Sequence, residues 1–215
     1  MDRLSCEYLN LINEIQKYPN LDIQWKSEHL FVKGTYKFCG SYNGFVCEDT
    51  FDLTIEIPLD YPKRISIAHE TGKKIPKEYH KNTNTELCLG TEIDLYMLYD
   101  INHPFTSFME KILNPYLYRW LYLKSRNREP WPDRSHGKQG IIESYSELLL
   151  IPKDSVIIRK FVSILALGNA RMNYLCPCGS GIKLKKCHMH KLKKLITRYP
   201  NSIFQKDYIL LSSGV

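Results

Sequence analysis

Cys88 is the residue of this chain best placed to perform covalent chemistry, because polar side chains precede it at short range. His80 and Asn82 lie eight and six residues before it, and Cys88 itself stands between two leucines. A thiolate with a nearby side-chain amide suits the capture of an acyl group, since the sulfur attacks the carbonyl carbon and the amide donates a hydrogen bond to the oxyanion that forms. The alternative is that Cys88 is a small buried hydrophobic residue, which is the commonest role of a free cysteine.

A second group of reactive side chains lies near the C-terminal end of the chain. Two cysteines separated by one residue are followed, after eight residues, by a Cys-His pair, and the four residues are Cys176, Cys178, Cys187 and His188. Three thiolates and one imidazole are the number and type of ligands that tetrahedral Zn²⁺ prefers. Because protein side chains fill all four positions, we expect a structural zinc site. His190 is an alternative fourth ligand.

This cysteine run resembles the SEC-C motif, a zinc knuckle found at the end of the bacterial preprotein-translocase ATPase and in many unrelated proteins. We expect the motif to span about residues 171–190, with Gly179 and Gly181 forming its tight turn. Seven cations surround it, which are Lys183, Lys185, Lys186, Lys191, Lys193, Lys194 and Arg198. They indicate a docking surface for an acidic protein, nucleic acid or the ribosome. Few aromatic residues are interspersed, so nucleic acid is the less favoured partner.

Composition places the chain among globular proteins with a hydrophobic core. It has 215 residues, of which 43% are hydrophobic and 25% charged, and this size fits one domain with an appendage or two small domains. Seven unevenly spaced cysteines do not indicate a disulfide framework. No apolar run reaches the roughly 20 residues of a membrane span, and the N-terminal residues are too polar for a signal peptide, so we expect a cytoplasmic protein without a membrane partner.

The net charge of +7 is unevenly distributed. Residues 155–206 contain eleven Lys or Arg and no Asp or Glu, which leaves 19 basic against 23 acidic residues in the remainder. An anionic partner is therefore expected at the C-terminal end. The alternative is a solvated basic tail.

Periodicity predicts an α+β fold. The predicted strands form an antiparallel meander over residues 21–26, 30–36, 51–57 and 64–68. The predicted helices cover residues 4–18, 104–124 with a kink at Pro115, 139–150, 154–167 and 203–211. Residues 75–99 show no sustained period, and we expect a long irregular loop there, which in a compact domain is usually functional.

The order of these elements, together with three short motifs, resembles the ubiquitin-conjugating (UBC) fold. Tyr61-Pro62 is similar to the turn after the third strand, His80-Lys81-Asn82 to the His-Pro-Asn element, and Leu87-Cys88-Leu89 to the nucleophile with its apolar neighbours. The resemblance implies an N-terminal helix, a four-stranded antiparallel meander and C-terminal helices. It predicts a conjugating domain over residues 1–150, followed by a basic helical region with the zinc knuckle over residues 151–215.

The resemblance also implies roles for individual residues. Cys88 would carry the C-terminus of another protein as a thioester, Asn82 would donate to the oxyanion or organise its loop, and His80 would be structural, with its ring bonded to the loop backbone. Lys81 stands where the family has proline, and the His-to-Cys interval is shorter than in most eukaryotic members. Asn84 is therefore an alternative oxyanion donor.

Further departures indicate a divergent bacterial branch. Tyr96 and Tyr99 stand where a tryptophan is usual, and the run from Trp131 to Tyr145 is similar to the segment after the UBC core in bacterial members. Trp131 is alternatively a hydrophobic anchor of the linker. Such proteins occur in anti-phage (CBASS-type) operons, so the implied partner is a protein with a C-terminal tail, either a cGAS-like nucleotidyltransferase or a ubiquitin-like protein.

No glycine-rich phosphate-binding loop is present in the sequence, so the chain is not expected to activate a carboxylate with ATP by itself. Either the acyl group arrives already activated, for instance by an activating enzyme in trans, or another source of free energy is used. Two functions outside enzymology remain open from the sequence. One is a UBC-like adaptor in which Cys88 is buried, and the other is a zinc-containing protein that binds nucleic acid or the ribosome.

Overall fold

A computed structural model describes residues 3–26, 28–80 and 86–213, which fall into two compact units. The first unit comprises Met1–Gly90 and Leu95–Asp133, and the second comprises Thr91–Asp94 and Arg134–Val215. The functional boundary expected near residue 150 stays a prediction. Within the described part of the chain, every helix is too short or too polar to cross a bilayer.

The first unit contains a helix and an antiparallel sheet. Helix α1 (Arg3–Ile15) buries Leu11 and Ile15 against the core. The strands hydrogen-bond in the order in which they occur in the chain, and they are β1 (Leu21–Lys26), β2 (His29–Tyr42), β3 (Phe45–Ile57) and β4 (Ile67–Glu70). This sheet confirms the predicted α+β class and the four-stranded antiparallel meander among the described residues.

The central hairpin is longer than the sequence predicts. Strands β2 and β3 pair from Leu30↔Ile57 out to Tyr42↔Phe45, and they are joined by Asn43 and Gly44. Both turn residues have positive φ, 48° and 77°, as a two-residue type I′ turn requires.

The strands predicted over residues 30–36 and 51–57 were therefore too short at this end of the hairpin. Phe38 and Cys47 are buried on one face of the hairpin end, where Asp49 also lies. The apolar Cys39 and Val46 are exposed on the opposite face, so the sequence here does not show the clear alternation of apolar and polar residues that marks a strand.

The core of the first unit lies against one face of the sheet. The alternating apolar residues of β3 are buried as predicted, with Phe51, Leu53 and Ile55 at most 1% exposed. Helical residues pack over them, and the fully buried ones include Phe105, Phe108, Leu113 and Leu117.

The helix predicted at Pro104 forms, but it is divided into three segments. They are α3 (Pro104–Ser107), a π-helical turn (Phe108–Leu113) and α4 (Asn114–Arg126). Pro115 lies in the first turn of α4, directly after the π turn. Proline has no N–H to donate, and the wider π turn accommodates the missing hydrogen bond. This irregular turn lies where the sequence predicts a kink.

A helix also occurs where the sequence predicts an irregular loop. Helix α2 (Glu92–Leu98) has seven residues. A helix of two turns is too short to give a convincing 3.6-residue period, which explains why the prediction of loop was wrong here.

The second unit is helical. Its elements are α5 (Gly137–Leu149), α6 (Ser155–Leu167), a 3₁₀ turn (Leu184–Lys186), α7 (Met189–Arg198) and α8 (Asn201–Ser212). The Asp154 carboxylate caps α6 by accepting from two backbone N–H groups at 2.8 Å, and Gly168 ends the helix in a left-handed conformation. The sequence did not predict α7. Phe161, Leu192 and Ile203 form part of the unit's buried core.

Candidate thiol site and zinc centre

The first two zinc-motif cysteines, Cys176 and Cys178, lie on a small hairpin of the second unit. Leu175 pairs with Lys183, and the Cys176 N–H donates to the Ile182 carbonyl over 2.8 Å. Gly179 and Gly181 form the connecting turn with φ of 80° and 72°, values that glycine adopts without strain. The chain then passes through the 3₁₀ turn and reaches the last two ligands at the start of α7.

The donor atoms of this cluster are spaced as the corners of a zinc tetrahedron. His188 Nδ1 lies 3.3 Å from Cys176 Sγ and 3.1 Å from Cys187 Sγ, and Cys178 Sγ lies 3.6 Å from Cys187 Sγ. All four donor atoms lie within 4.8 Å of one another. Zn–S bonds of about 2.3 Å give a tetrahedral S···S edge of about 3.8 Å, so these distances are compatible with a zinc ion bound by all four residues.

A hydrogen bond to the opposite side of the imidazole fixes the orientation of His188. Its Nε2 lies 3.2 Å from the Leu149 carbonyl oxygen, to which the N–H donates. Nδ1 is then left unprotonated and faces the sulfurs, as metal ligation requires. Burial also lowers the pKa of His188, which favours the neutral ring.

The most buried ligand needs a cation to become a thiolate. Burial raises the pKa of Cys176 to about 12, and a bound metal ion supplies the positive charge that stabilises the thiolate. His190, the alternative fourth ligand, instead donates from Nδ1 to the Cys187 carbonyl over 3.0 Å. The donor cluster therefore contains His188.

The candidate nucleophile lies beside the edge strand of the first unit. The Leu87 N–H donates to the Ala68 carbonyl of β4 over 2.9 Å, and the next N–H, that of Cys88, donates to the His80 carbonyl over 2.6 Å. The Cys88 side chain is half-buried. The backbone that carries the thiol is thus fixed by two hydrogen bonds, and the residue remains partly exposed.

The surroundings of Cys88 favour the neutral thiol. Burial is the main cause of its raised pKa, and the negative charge of Asp133 acts in the same direction. A hydrogen bond from the Gly90 backbone N–H opposes both effects. A thiol of raised pKa has little thiolate at neutral pH, but its thiolate is intrinsically more nucleophilic.

His80 is bonded through both its backbone and its ring. Its φ is +39°, and Tyr116 Oη donates towards the His80 carbonyl at 3.3 Å. The ring Nε2 lies 3.1 Å from Asp133 Oδ2, whereas the sequence predicts a bond from the ring to the loop backbone. Arg119 binds Asp133 from the other side and also binds Glu129 at 2.6 Å. This network supports a positioning role for His80.

Sequence reasoning missed Asp133 and Arg119. Arg119 is on α4, and Asp133 lies in the loop after that helix, 45 residues after Cys88. Trp131 holds this loop in place by stacking on Tyr118, with ring centres 5.8 Å apart and planes at 11°. The Trp131-Pro132 pair was the only signal in the sequence, and the anchoring role considered for Trp131 is observed.

Both candidate oxyanion donors, Asn82 and Asn84, lie outside the described residues together with Lys81. Donation from either amide stays a prediction. Tyr96, which stands where the UBC family has tryptophan, donates from its hydroxyl to the Lys63 carbonyl over 2.9 Å. It therefore fastens the segment after Tyr61-Pro62 to α2.

Comparison with protein families finds one match. Residues 172–189 match the SEC-C motif, a zinc-binding type of motif, and this range contains all four ligands. A comparison with curated proteins finds no match.

Proposed function

We propose that the chain is a ubiquitin-conjugating-like thiol acyl carrier in which Cys88 forms a thioester with the C-terminus of a partner protein. The observation that carries the proposal is the half-buried Cys88 sulfur, beside the edge strand of the meander and bonded through its backbone to His80. The order of helix, four-stranded meander, thiol loop and subsequent helices supports the resemblance to the UBC fold.

The acyl group arrives by exchange between a thioester and the Cys88 thiolate. The Cys88 thiolate attacks the carbonyl carbon of a thioester on an activating enzyme, forms a tetrahedral oxyanion, and expels the thiolate of that enzyme. One C–S bond forms and one breaks, so the chain needs no nucleotide of its own. An acceptor nucleophile, such as a lysine amine, then attacks the Cys88 thioester and releases the thiol.

The raised pKa of Cys88 is compatible with this exchange. A less acidic thiol is a better nucleophile once ionised, and the thioester has no charge to stabilise in the half-buried site. Asn82 is proposed as the donor to the oxyanion, with Asn84 as the alternative. His80 positions the loop through its carbonyl, which accepts the Cys88 N–H.

The partner is proposed from the resemblance to bacterial UBC-like proteins. It is a protein with a C-terminal tail, either a cGAS-like nucleotidyltransferase or a ubiquitin-like protein, in an anti-phage system. The activating enzyme acts in trans. The tail is proposed to approach Cys88 as an extended peptide.

The zinc module is proposed to be a structural dock for a partner. Its four ligands close the metal site, so zinc would fold the hairpin and leave no open position for a reaction. The exposed cations on and beside the 3₁₀ turn and α7 are Lys183, Lys185, Lys186, Lys193, Lys194 and Arg198. They favour an acidic protein surface over nucleic acid, because few aromatic side chains accompany them.

A non-catalytic adaptor is the second candidate function. The burial that raises the pKa of Cys88 favours the neutral thiol at pH 7, and a binding protein needs no thiolate. In this case the first unit would bind a protein tail without forming a covalent bond.

Trapping of the acyl group distinguishes the two functions. The chain is co-expressed with its genomic neighbours as wild type, Cys88→Ser, Cys88→Ala and, as control, Cys39→Ser, which alters an exposed cysteine of β2. A carrier gives an adduct that thiols remove from the wild type and the control, a thiol-resistant ester in Cys88→Ser, and none in Cys88→Ala. An adaptor retains the partner non-covalently in all four.

A further inference from the structure

The C-terminal end of α5 is bonded to the zinc-binding segment of the same unit. A helix leaves its last carbonyl groups without partners in its own backbone. The Leu149 carbonyl of α5 accepts hydrogen bonds from His188 Nε2 at 3.2 Å and from Lys191 Nζ at 2.6 Å. His188 is one of the four metal-binding residues, and Lys191 lies in the first turn of α7. One carbonyl of α5 therefore holds two side chains of the zinc-binding segment.

The turn that follows this carbonyl is fixed by short contacts of its own. The backbone N–H groups of Leu150 and Ile151 both donate to the Ser146 carbonyl, the second over 3.0 Å. The Ser146 hydroxyl donates in turn to the Ile151 carbonyl over 2.6 Å. Ile151 is buried, so this turn is part of the packed interior of the second unit. A movement of Leu149 would disturb these bonds as well as its own.

The His188 ring also packs on α6. Its centre lies 5.1 Å from that of the Phe161 ring, with the two planes at 60°. Phe161 is fully buried, together with Ile158 and Val162 of the same helix and Leu192 of α7. The single imidazole of His188 thus contacts α5 through Nε2 and α6 through its ring, while its Nδ1 faces the sulfurs of the zinc site.

We propose that His188 links the zinc ion to the helical core of the second unit, so that zinc stabilises the end of α5 and the middle of α6 as well as the zinc knuckle (residues 172–190). A zinc ion on Nδ1 fixes the imidazole, and the fixed imidazole holds Leu149 and Phe161 in place. The link is reciprocal, since α5 and α6 hold the ring in its ligand orientation and thereby raise the affinity for zinc.

This link makes the second unit one zinc-dependent body. A knuckle that is only attached to a helical bundle folds around its metal and leaves the stability of the bundle unchanged. Here a ligand of the metal is also a packing residue of the bundle, so loss of zinc loosens helices outside the motif. The link requires no chemistry at Cys88 and is independent of the acyl-carrier proposal.

Hydrogen exchange of the full-length chain measures the link, with zinc bound and after its removal by a chelator. Peptides over residues 146–152 report the turn after α5, and peptides over residues 157–165 report the middle of α6. Zinc removal is expected to speed exchange in both by about tenfold or more, because outer contacts of a zinc ligand change metal binding by about 10–100-fold and the coupling is reciprocal. Peptides of β3 in the first unit should not change.

A pair of ligand exchanges separates His188 from the other ligands. His188→Cys keeps four zinc ligands, because four cysteines also form structural zinc sites, but it removes the Nε2 bond and the ring contact. Cys178→His also keeps four ligands and leaves His188 in place. With stoichiometric zinc confirmed by metal analysis, zinc should protect the knuckle in both variants. It should protect residues 146–152 in Cys178→His and lose this effect in His188→Cys.

A second pair of variants keeps all four ligands, and it serves if an exchanged ligand lowers the zinc content. Phe161→Leu removes the ring that packs on His188, whereas Phe204→Leu alters another buried phenylalanine, on α8. Competition with a chromophoric chelator measures the affinity for zinc. Phe161→Leu is expected to weaken it by about tenfold relative to Phe204→Leu.

Four outcomes would overturn the link. The first is exchange at residues 146–152 and 157–165 that is the same with and without zinc in the wild type. The second is zinc protection of residues 146–152 that is as strong in His188→Cys as in the wild type. The third is a parallel increase of exchange in β3, which would indicate general unfolding, and the fourth is equal zinc affinity in Phe161→Leu and Phe204→Leu.

Discussion

The backbone N–H of Cys88 donates a hydrogen bond to the carbonyl oxygen of His80, with 2.6 Å between nitrogen and oxygen. The ring of the same histidine is paired with Asp133, whose charge also acts on the Cys88 thiol. His80 therefore contacts both the Cys88 backbone, through its carbonyl oxygen, and Asp133, through its ring. Asp133 is the acidic group whose charge raises the pKa of the Cys88 thiol.

Replacing Asp133 should make Cys88 more reactive at neutral pH. The carboxylate raises the pKa of Cys88, so Asp133→Asn should lower this pKa and increase the thiolate fraction. We expect alkylation of Cys88 at pH 7 to accelerate by about two- to tenfold, since one pKa unit corresponds to tenfold in thiolate. Glu129→Gln is the matched control, because Glu129 binds Arg119 as Asp133 does. An unchanged or slower rate in Asp133→Asn would contradict this electrostatic explanation.

Zinc should bind with one ion per chain. Cys187→Ser removes one of four ligands and is expected to abolish stoichiometric zinc, whereas Cys39→Ser should retain it. Structural zinc contributes roughly 10–16 kcal/mol of binding free energy, so residues 172–190 should lose protection from hydrogen exchange in Cys187→Ser. Metal analysis and exchange mass spectrometry measure both effects. Full zinc content in this variant would show that Cys187 is not a ligand.

Asp207→Asn should stabilise the protein at neutral pH. Burial raises the pKa of Asp207 from 3.8 to about 6, and Tyr145 donates to its carboxylate over 2.8 Å. Between these two values the folded state keeps a proton that the unfolded chain has lost, so the free energy of unfolding falls as pH rises from about 4 to about 6.

The asparagine variant lacks this penalty and can still accept from Tyr145. A gain of up to about 3 kcal/mol is expected at pH 7, and little change near pH 3, where the aspartate is largely protonated in both states. Chemical denaturation at the two pH values tests the sign. If the variant and the wild type differed in free energy of unfolding by the same amount at both pH values, the charge of Asp207 would not be the cause of the difference.

Gly140→Ala should destabilise the second unit. The added Cβ overlaps the Ser135 carbonyl oxygen and crowds Thr91, and overpacking of this kind costs about 1–3 kcal/mol. Gly168→Ala is the control, since that site has open space and only its positive φ of 64° disfavours alanine, which costs about 1 kcal/mol. Thermal unfolding compares them. If Gly140→Ala were the milder change, the close packing at α5 would be disproved.

The sequence was sufficient for features that depend on neighbouring residues. The zinc ligands Cys176 to His188 lie within 13 residues, so their spacing alone indicates the metal. Strand β3 alternates apolar and polar residues over Phe51–Ile57, and its burial matches that pattern. The cap at Asp154 and the end at Gly168 were equally local.

Features that depend on tertiary contacts were not predictable in the same way. Asp133 contacts His80, and Arg119 contacts Asp133, from parts of the chain that begin after residue 113. No local pattern distinguishes these two residues from surface charges. The seven residues of α2 were too few to show a period. The contact between Ser144 of α5 and Thr91 joins residues that are 53 positions apart in the chain.

The intact mass of the protein, purified without reducing agent from cells that contain its genomic neighbours, tests the central proposal most directly. We predict an added mass equal to that of a partner protein less one water, located on the peptide that contains Cys88, removed by hydroxylamine or excess thiol, and absent from Cys88→Ala. A Cys88 thiol that stays unmodified in the presence of a complete set of neighbours, while the partner is retained non-covalently, would contradict the acyl-carrier function.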